Sequence, residues 1–270
     1  MRTFRGYAIS AACGTLSKKQ RSMTNKKTFA SLFESLRGQS QHDHRTVFDD
    51  FLTTLLCTYS IDSLTGLMQD EKLLSDTLHR YSETAQLMFP DLLIALQTET
   101  KDRADSSSGN DVIGEYYEAN FENVGMAKTF LPWQECQRVA KDVIGRLKGD
   151  DSPRMRILIP CCGSGRLLVA ARQQAGWQNE FYGIDSDPTC AKMAILNLYM
   201  NPVYYGETMQ SDTPDPKEYN GSYASPAFPD GIVTLDRKEQ SRLWYLLRNK
   251  FSDGPALATA NGFNIAVEVF

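Results

Sequence analysis

Apolar residues recur at three- and four-residue spacing through Val47, Phe48, Phe51, Leu52, Leu55, Leu56 and Tyr59, the pattern of a helix with one buried face. A second helical stretch follows through Leu73, Leu74, Leu78 and Tyr81, and Pro90 opens a shorter one carrying Leu92, Leu93 and Leu96. Residues 28–99 therefore read as helical, with no strand signal. Thr100 to Asn110 is polar, with a serine run and a glycine, and reads as a connection. Beyond it the pattern changes. Cys136, Val139, Ala140, Val143, Ile144 and Leu147 form a helical stripe that stops at Gly149. Met155–Pro160 is a short apolar strand running straight into Cys161-Cys162-Gly163-Ser164-Gly165, and Leu167 to Ala175 continue as a helix. Phe181–Asp185 is a second strand and Asp187–Met200 a second helix. Alternating strand and helix predicts an α/β fold with a mostly parallel sheet. The expected organisation is a basic tail at 1–27, a helical region at 28–99, a linker at 100–110 and an α/β domain at 111–270.

Composition narrows the classes. The chain has 270 residues, 41% hydrophobic and 23% charged, with a net charge of −4, which is ordinary for a globular protein. No apolar run approaches the roughly 20 residues that span a bilayer. Residues 1–30 carry Arg2, Arg5, Lys18, Lys19, Arg21, Lys26 and Lys27 and no acid, but lack the apolar core and cleavage site of a secretory leader. A cytoplasmic chain is expected, its basic tail either meeting phosphates or simply exposed. The six cysteines form no Cys-x-x-Cys pair and the three histidines are scattered, so reduced thiols and no metal are expected.

The glycine turn carries the candidate chemistry. In a doubly wound sheet, ligands lie at the carboxyl ends of the strands, where such a turn enters a helix. Gly163 and Gly165 allow a sharp bend and a close backbone approach. A tight turn without a ligand reads equally well from these two residues alone. Asp185 closes the next strand about 20 residues later, the separation that sets an acid against ribose hydroxyls; capping of the following helix is its plainer role. The third dinucleotide glycine is missing and no Gly-Lys-Ser/Thr follows, which argues against pyrophosphate cradling. A nucleoside with a compact, non-phosphate tail suits the turn better.

At this point a resemblance becomes specific. Pro160-Cys161-Cys162-Gly163-Ser164-Gly165 resembles the Asp-Pro-x-Cys-Gly-Ser-Gly motif of N6-adenine DNA methyltransferases, particularly the modification subunits of type I restriction systems. Upstream, Asp111-Val-Ile-Gly114-Glu115-Tyr116-Tyr117-Glu118 is similar to that family's Gly-x-x-Tyr-Glu helix, and Thr129-Phe130-Leu131-Pro132 to its Thr-Pro turn. Downstream, Gly183-Ile184-Asp185-Ser186-Asp187-Pro188 with Asn197 resembles its acidic strand and following helix. The likeness covers roughly residues 111–228. It implies a Rossmann-like fold and S-adenosylmethionine as cofactor. It further implies that Phe130 and Pro132 line the cofactor pocket, that Gly163 and Gly165 approach the methionine part, that Asp185 holds the ribose, and that Asp212 lies near the adenine ring. Cys161, Cys162 and Ser186 are expected at the same site.

The family's catalytic motif, Asn/Asp/Ser-Pro-Pro-aromatic, is matched only by Ser225-Pro226-Ala227-Phe228. By resemblance Ser225 would orient the target amine, with Pro226 fixing the backbone and Phe228 stacking on a base flipped out of double-stranded DNA. Serine reaches less far than asparagine, Ala227 replaces a backbone-fixing proline, and Ile159 stands where the family has aspartate. These departures bear on turnover more than on cofactor binding. A non-catalytic binding or regulatory module, or methylation of RNA, protein or a small molecule, stays open beside DNA methylation. No target-recognition region is visible, so sequence specificity would come from the N-terminal helices or a partner subunit. The N-terminal helices are expected to pack over the cofactor site or to bind a partner.

Overall fold

A computed structural model describes residues 28–60, 68–103, 110–121, 130–145, 154–212, 217–226, 231–249, 257–260 and 263–269. The expected tail at 1–27 lies outside them. Five N-terminal helices lead the chain: α1 (Phe29–Gln39), α2 (His44–Tyr59), α3 (Glu71–Leu78), α4 (Glu83–Gln86) and α5 (Met88–Asp102). Thr28 and Asp43 start α1 and α2 as side-chain caps, Asp43 accepting the N–H groups of Arg45 and Thr46. Pro90 lies in the first turn of α5, where its missing N–H has no intrahelical partner to lose. That helix runs on to Asp102, so the polar stretch expected as a connection from Thr100 is helical for its first three residues.

Then come α6 (Val112–Phe121), α7 (Trp133–Ile144), β1 (Met155–Pro160), α8 (Arg166–Ala175), β2 (Glu180–Asp185), α9 (Pro188–Met200) and β3 (Tyr205–Gln210), followed by β4 (Ser222–Pro226), β5 (Val233–Leu235), α10 (Arg242–Asn249), β6 (Leu257–Ala260) and β7 (Phe263–Val269). Among the described residues the seven strands form one sheet in the order β5-β4-β3-β2-β1-β7-β6. Only β1–β2 and β2–β3 pair in parallel; β1–β7, β3–β4, β4–β5 and β6–β7 are antiparallel. The mostly parallel sheet expected from the sequence is thus a three-stranded parallel centre with antiparallel flanks. The reason is connectivity: helices α8 and α9 cross over between the central strands, whereas β3, β4 and β5 follow one another with no helix between them among the described residues, and fold back.

Each face of the sheet is covered. One apolar cluster runs unbroken from Phe29, Phe33, Phe48 and Phe51 through Ile113 and Tyr116 to Ile157, Leu168, Phe181 and Ile195. The N-terminal helices therefore share a core with the central strands. On the opposite face Leu243, Leu246 and Leu247 of α10 cover Leu158, Tyr182, Ile184 and Met209. The buried carboxylate of Glu207 on β3 fastens that helix: it accepts the hydroxyls of Ser222, Ser241 and Tyr205 and, at 3.1 Å, the N–H of Leu243 in the first turn of α10. No helix among the described residues is long and apolar enough to cross a membrane.

Candidate functional site

The turn between β1 and α8 is built from three left-handed residues. Cys161, Gly163 and Gly165 have φ of 54°, 56° and 86°. Two glycines are needed there for different reasons. A Cβ on Gly163 would lie 2.7 Å from the Phe130 ring, whereas one on Gly165 would lie 2.8 Å from the Cα of Ala194 on α9. Gly165 thus lets two helices approach closely, and Gly163 leaves room for an aromatic ring over the turn.

Asp185, at the carboxyl end of β2, is the hinge of the arrangement. It is 4% exposed. Its Oδ2 accepts the N–H of Gly163 at 2.9 Å and its Oδ1 that of Asp187 at 3.0 Å, while its carbonyl accepts the N–H of Ser211 at 2.8 Å. One residue therefore gathers three turns, its carboxylate those after β1 and β2 and its carbonyl the one after β3. A charged acceptor makes the two carboxylate bonds stronger than bonds to a neutral one.

A buried polar network holds α6 against the glycine turn. Asp111 accepts the N–H of Gly114 at 2.8 Å, Nδ2 of Asn197 at 2.7 Å and Nε of Arg166 at 2.9 Å, together with the hydroxyl of Ser164. Arg166 also donates to Glu118 at 2.8 Å and to the carbonyl of Leu131 at 3.2 Å, and Glu118 accepts the N–H of Phe130 at 2.7 Å. Burial works against the Arg166 charge, but Asp111 and Glu118 outweigh it and hold the guanidinium above its ordinary value. Tyr117 stacks on Phe130 at 5.8 Å and donates to Asp187 at 3.2 Å. Burial, helped by Asp187, pushes its hydroxyl up to about 12, so it stays a donor.

The fold brings most of the candidate cofactor residues to one edge. Phe130, Gly163, Gly165 and Asp185 surround the turn, and Cys161, Ser186 and Asp212 stand exposed beside it. Pro132 is exposed at the start of α7. Cys162 differs: its side chain is buried against Gly183, and burial, reinforced by Asp185, pushes its thiol well above the ordinary range. It packs beneath the turn, and only its backbone, bonded to Ile184, serves the bend.

Ser225 and Pro226 are not brought there. Strand β4 starts at the glycine-turn edge and runs antiparallel away from it, so Ser225 shares a row with Gly206, Phe181 and Ile157, three residues below Pro160 and three strands across. At ~3.3 Å per residue and ~4.8 Å per strand, that is on the order of 17 Å from the turn. The neighbouring position beside β1, from which a parallel strand would deliver a motif to the turn, is taken by antiparallel β7. Ser225, expected to orient the target amine, and Pro226, expected to fix the backbone, therefore lie on β4 away from the turn; Phe228 lies outside the described residues.

In the sequence, Asp111, Tyr117, Glu118, Asp187 and Asn197 stand within the motifs but carry no sign of their partners. Arg166 belongs to none of those motifs; its signal is a charge set in the otherwise apolar Leu167–Ala171 face of α8. Among the described residues no group of three His, Cys, Asp or Glu side chains could hold a metal ion.

An α/β sheet with this turn and acid, and with helices on both faces, is consistent with a methyltransferase fold. Residues 108–229, a little under half of the chain, match the family model described as N-6 DNA Methylase, which supports an assignment to the N6-adenine DNA methyltransferase family. That stretch takes in α6, the glycine turn, Asp185 and β4. No curated protein and no solved structure matches the chain.

Proposed function

We propose that this chain binds S-adenosylmethionine at the Gly163–Gly165 turn of a Rossmann-like sheet and belongs to a DNA-methylating system acting on the N6 amine of adenine. The observation that carries the reading is the Asp185 carboxylate, seated between the N–H groups of Gly163 and Asp187 beside exposed Ser186. Its acceptor oxygens suit a vicinal diol, the Phe130 ring over Gly163 suits an apolar wall, and the missing phosphate-binding glycine suits a sulfonium tail. When bound, the cofactor supplies the methyl group. Asp185, Phe130 and the turn would hold and orient it, with Asp212 and Ser186 at the rim. All five described cysteines are free thiols, which fits the reducing cytoplasm. Double-stranded DNA with a flipped base is the proposed substrate, with a specificity or partner subunit supplying recognition.

A second reading, a module that binds the cofactor without turning it over, is favoured by one observation: Ser225 lies at the far end of β4, too distant to orient an amine at the turn. One assay separates the two. Titration with the cofactor is expected to show binding that Asp185→Ala weakens at least tenfold; unchanged affinity in that variant would refute the site. Transfer of labelled methyl to unmodified DNA, lost in Asp185→Ala, would establish the first reading. Binding without transfer would establish the second.

A further inference from the structure

The first turn of α2 reaches Asp187, two residues beyond the cofactor acid Asp185. Arg45 Nη2 lies 3.2 Å from Oδ2 of Asp187, the same oxygen that receives the Tyr117 hydroxyl at 3.2 Å. The other oxygen of Asp187 caps α9 through the N–H of Thr189 at 2.9 Å, and its backbone N–H is bound by Asp185 at 3.0 Å. Further along, Lys192 of α9 sits between the Asp49 carboxylate, at 2.9 and 3.0 Å, and the Thr53 hydroxyl at 3.1 Å. Helix α2 is therefore pinned to α9 at two places, one of them directly behind Asp185. Asp187 is the less solvated partner, with 14% of its side chain exposed against 47% for Arg45.

We propose that the N-terminal helical layer is a working wall of the cofactor site, with Arg45 as its positioning residue. Arg45 compensates the Asp187 carboxylate. That allows a second carboxylate, Asp185, to keep its orientation two residues away on the same turn. Tyr117 serves the same oxygen from α6. Without Arg45 the two acids repel each other across the turn and Asp185 no longer presents the same geometry to a ribose. Arg45 touches no cofactor atom in this account; it acts through Asp187. The inference rests on the cofactor reading above and adds to it the part played by α2.

The test is calorimetric titration of S-adenosylmethionine into the full chain and its Arg45→Ala, Arg45→Lys and Tyr117→Phe variants, at low and high salt, with a thermal melt of each. Affinity is expected to fall about twofold to fivefold in Arg45→Ala, the range of one half-exposed ion pair, and to recover in Arg45→Lys. Salt should weaken the unsubstituted chain toward the Arg45→Ala value and leave that variant less affected. Tyr117→Phe should give a smaller loss, and the ligand-free melts should stay close together. A merely structural role would shift the melts without the salt convergence or the lysine rescue, and would overturn the proposal. So would affinities within twofold of one another while the unsubstituted chain binds. Failure of the unsubstituted chain to bind at all would instead bring down the cofactor reading, and this inference with it.

Discussion

Replacing Gly165 by alanine isolates the physical basis of the glycine turn. Two costs add. The residue sits at φ 86°, where an L side chain costs about 1–2 kcal/mol. The new Cβ would stand 2.8 Å from the Cα of Ala194, 3.0 Å from its Cβ and 3.2 Å from its carbonyl oxygen, all in the middle of α9. Backbone in a buried helix cannot step aside cheaply, and such overpacking costs about 1–3 kcal/mol. A total near 3 kcal/mol would lower the Tm by about 6–12 °C at roughly 2–4 °C per kcal/mol. Two companions separate the contributions. Gly176 has φ 94°, yet its Cβ would meet only the free end of Gln178 at 3.2 Å. At ψ 167° Gly176 lies in an extended region open essentially to glycine, so Gly176→Ala should show a dihedral cost without the helix clash, about 1–3 kcal/mol. Gly38 lies exposed within α1 with nothing inside 4 Å, so Gly38→Ala should be neutral or stabilising by about 0.5–1 kcal/mol. Thermal melts of the three variants give the ordering. If Gly165→Ala melted with Gly38→Ala, the contact between the turn and α9 would be refuted, and the glycine would have to be explained by something other than helix packing.

Two further outcomes follow from the buried polar groups. Arg166→Met leaves Asp111 and Glu118 without their cation in a buried setting and should cost about 3–5 kcal/mol in urea unfolding; a loss under 1 kcal/mol would mean the network holds without it. Stability should also fall with acid near neutrality. His44, lowered from 6.5 chiefly by burial although Glu34 opposes the shift, binds fewer protons folded than unfolded. Its contribution is present above 6.5 and is lost as pH falls from there toward the lowered value. Glu34 is lowered from 4.5 by its bonds to Tyr116 and Arg37, against burial, and its contribution disappears in turn below that. Melts from about pH 7 to pH 5 should show the first slope, and His44→Gln should flatten it; an unchanged slope would assign it elsewhere.

Much of this protein was legible before any coordinates, because the relevant forces are local. The stripe from Val47 to Tyr59 had to be a helix, since only a 3.6-residue period puts those side chains on one face. The run from Met155 through Gly165 had to be a strand entering a sharp bend, and the acid after Phe181-Tyr182-Gly183-Ile184 had to end the next strand. Those short-range facts suffice to mark Gly163, Gly165 and Asp185. Strand partners are a different matter. Nothing in Ser222–Pro226 says which neighbour it takes or in which direction, because pairing depends on the edge left open once the crossover helices are placed. Only the tertiary structure decided that β4 folds back along β3, carrying Ser225 away from the turn, and that β7 lies beside β1. The same holds for Arg45 and Arg166: a charge in a sequence has no partner until distant segments meet, and here Asp187 and Asp111 lie 142 and 55 residues away.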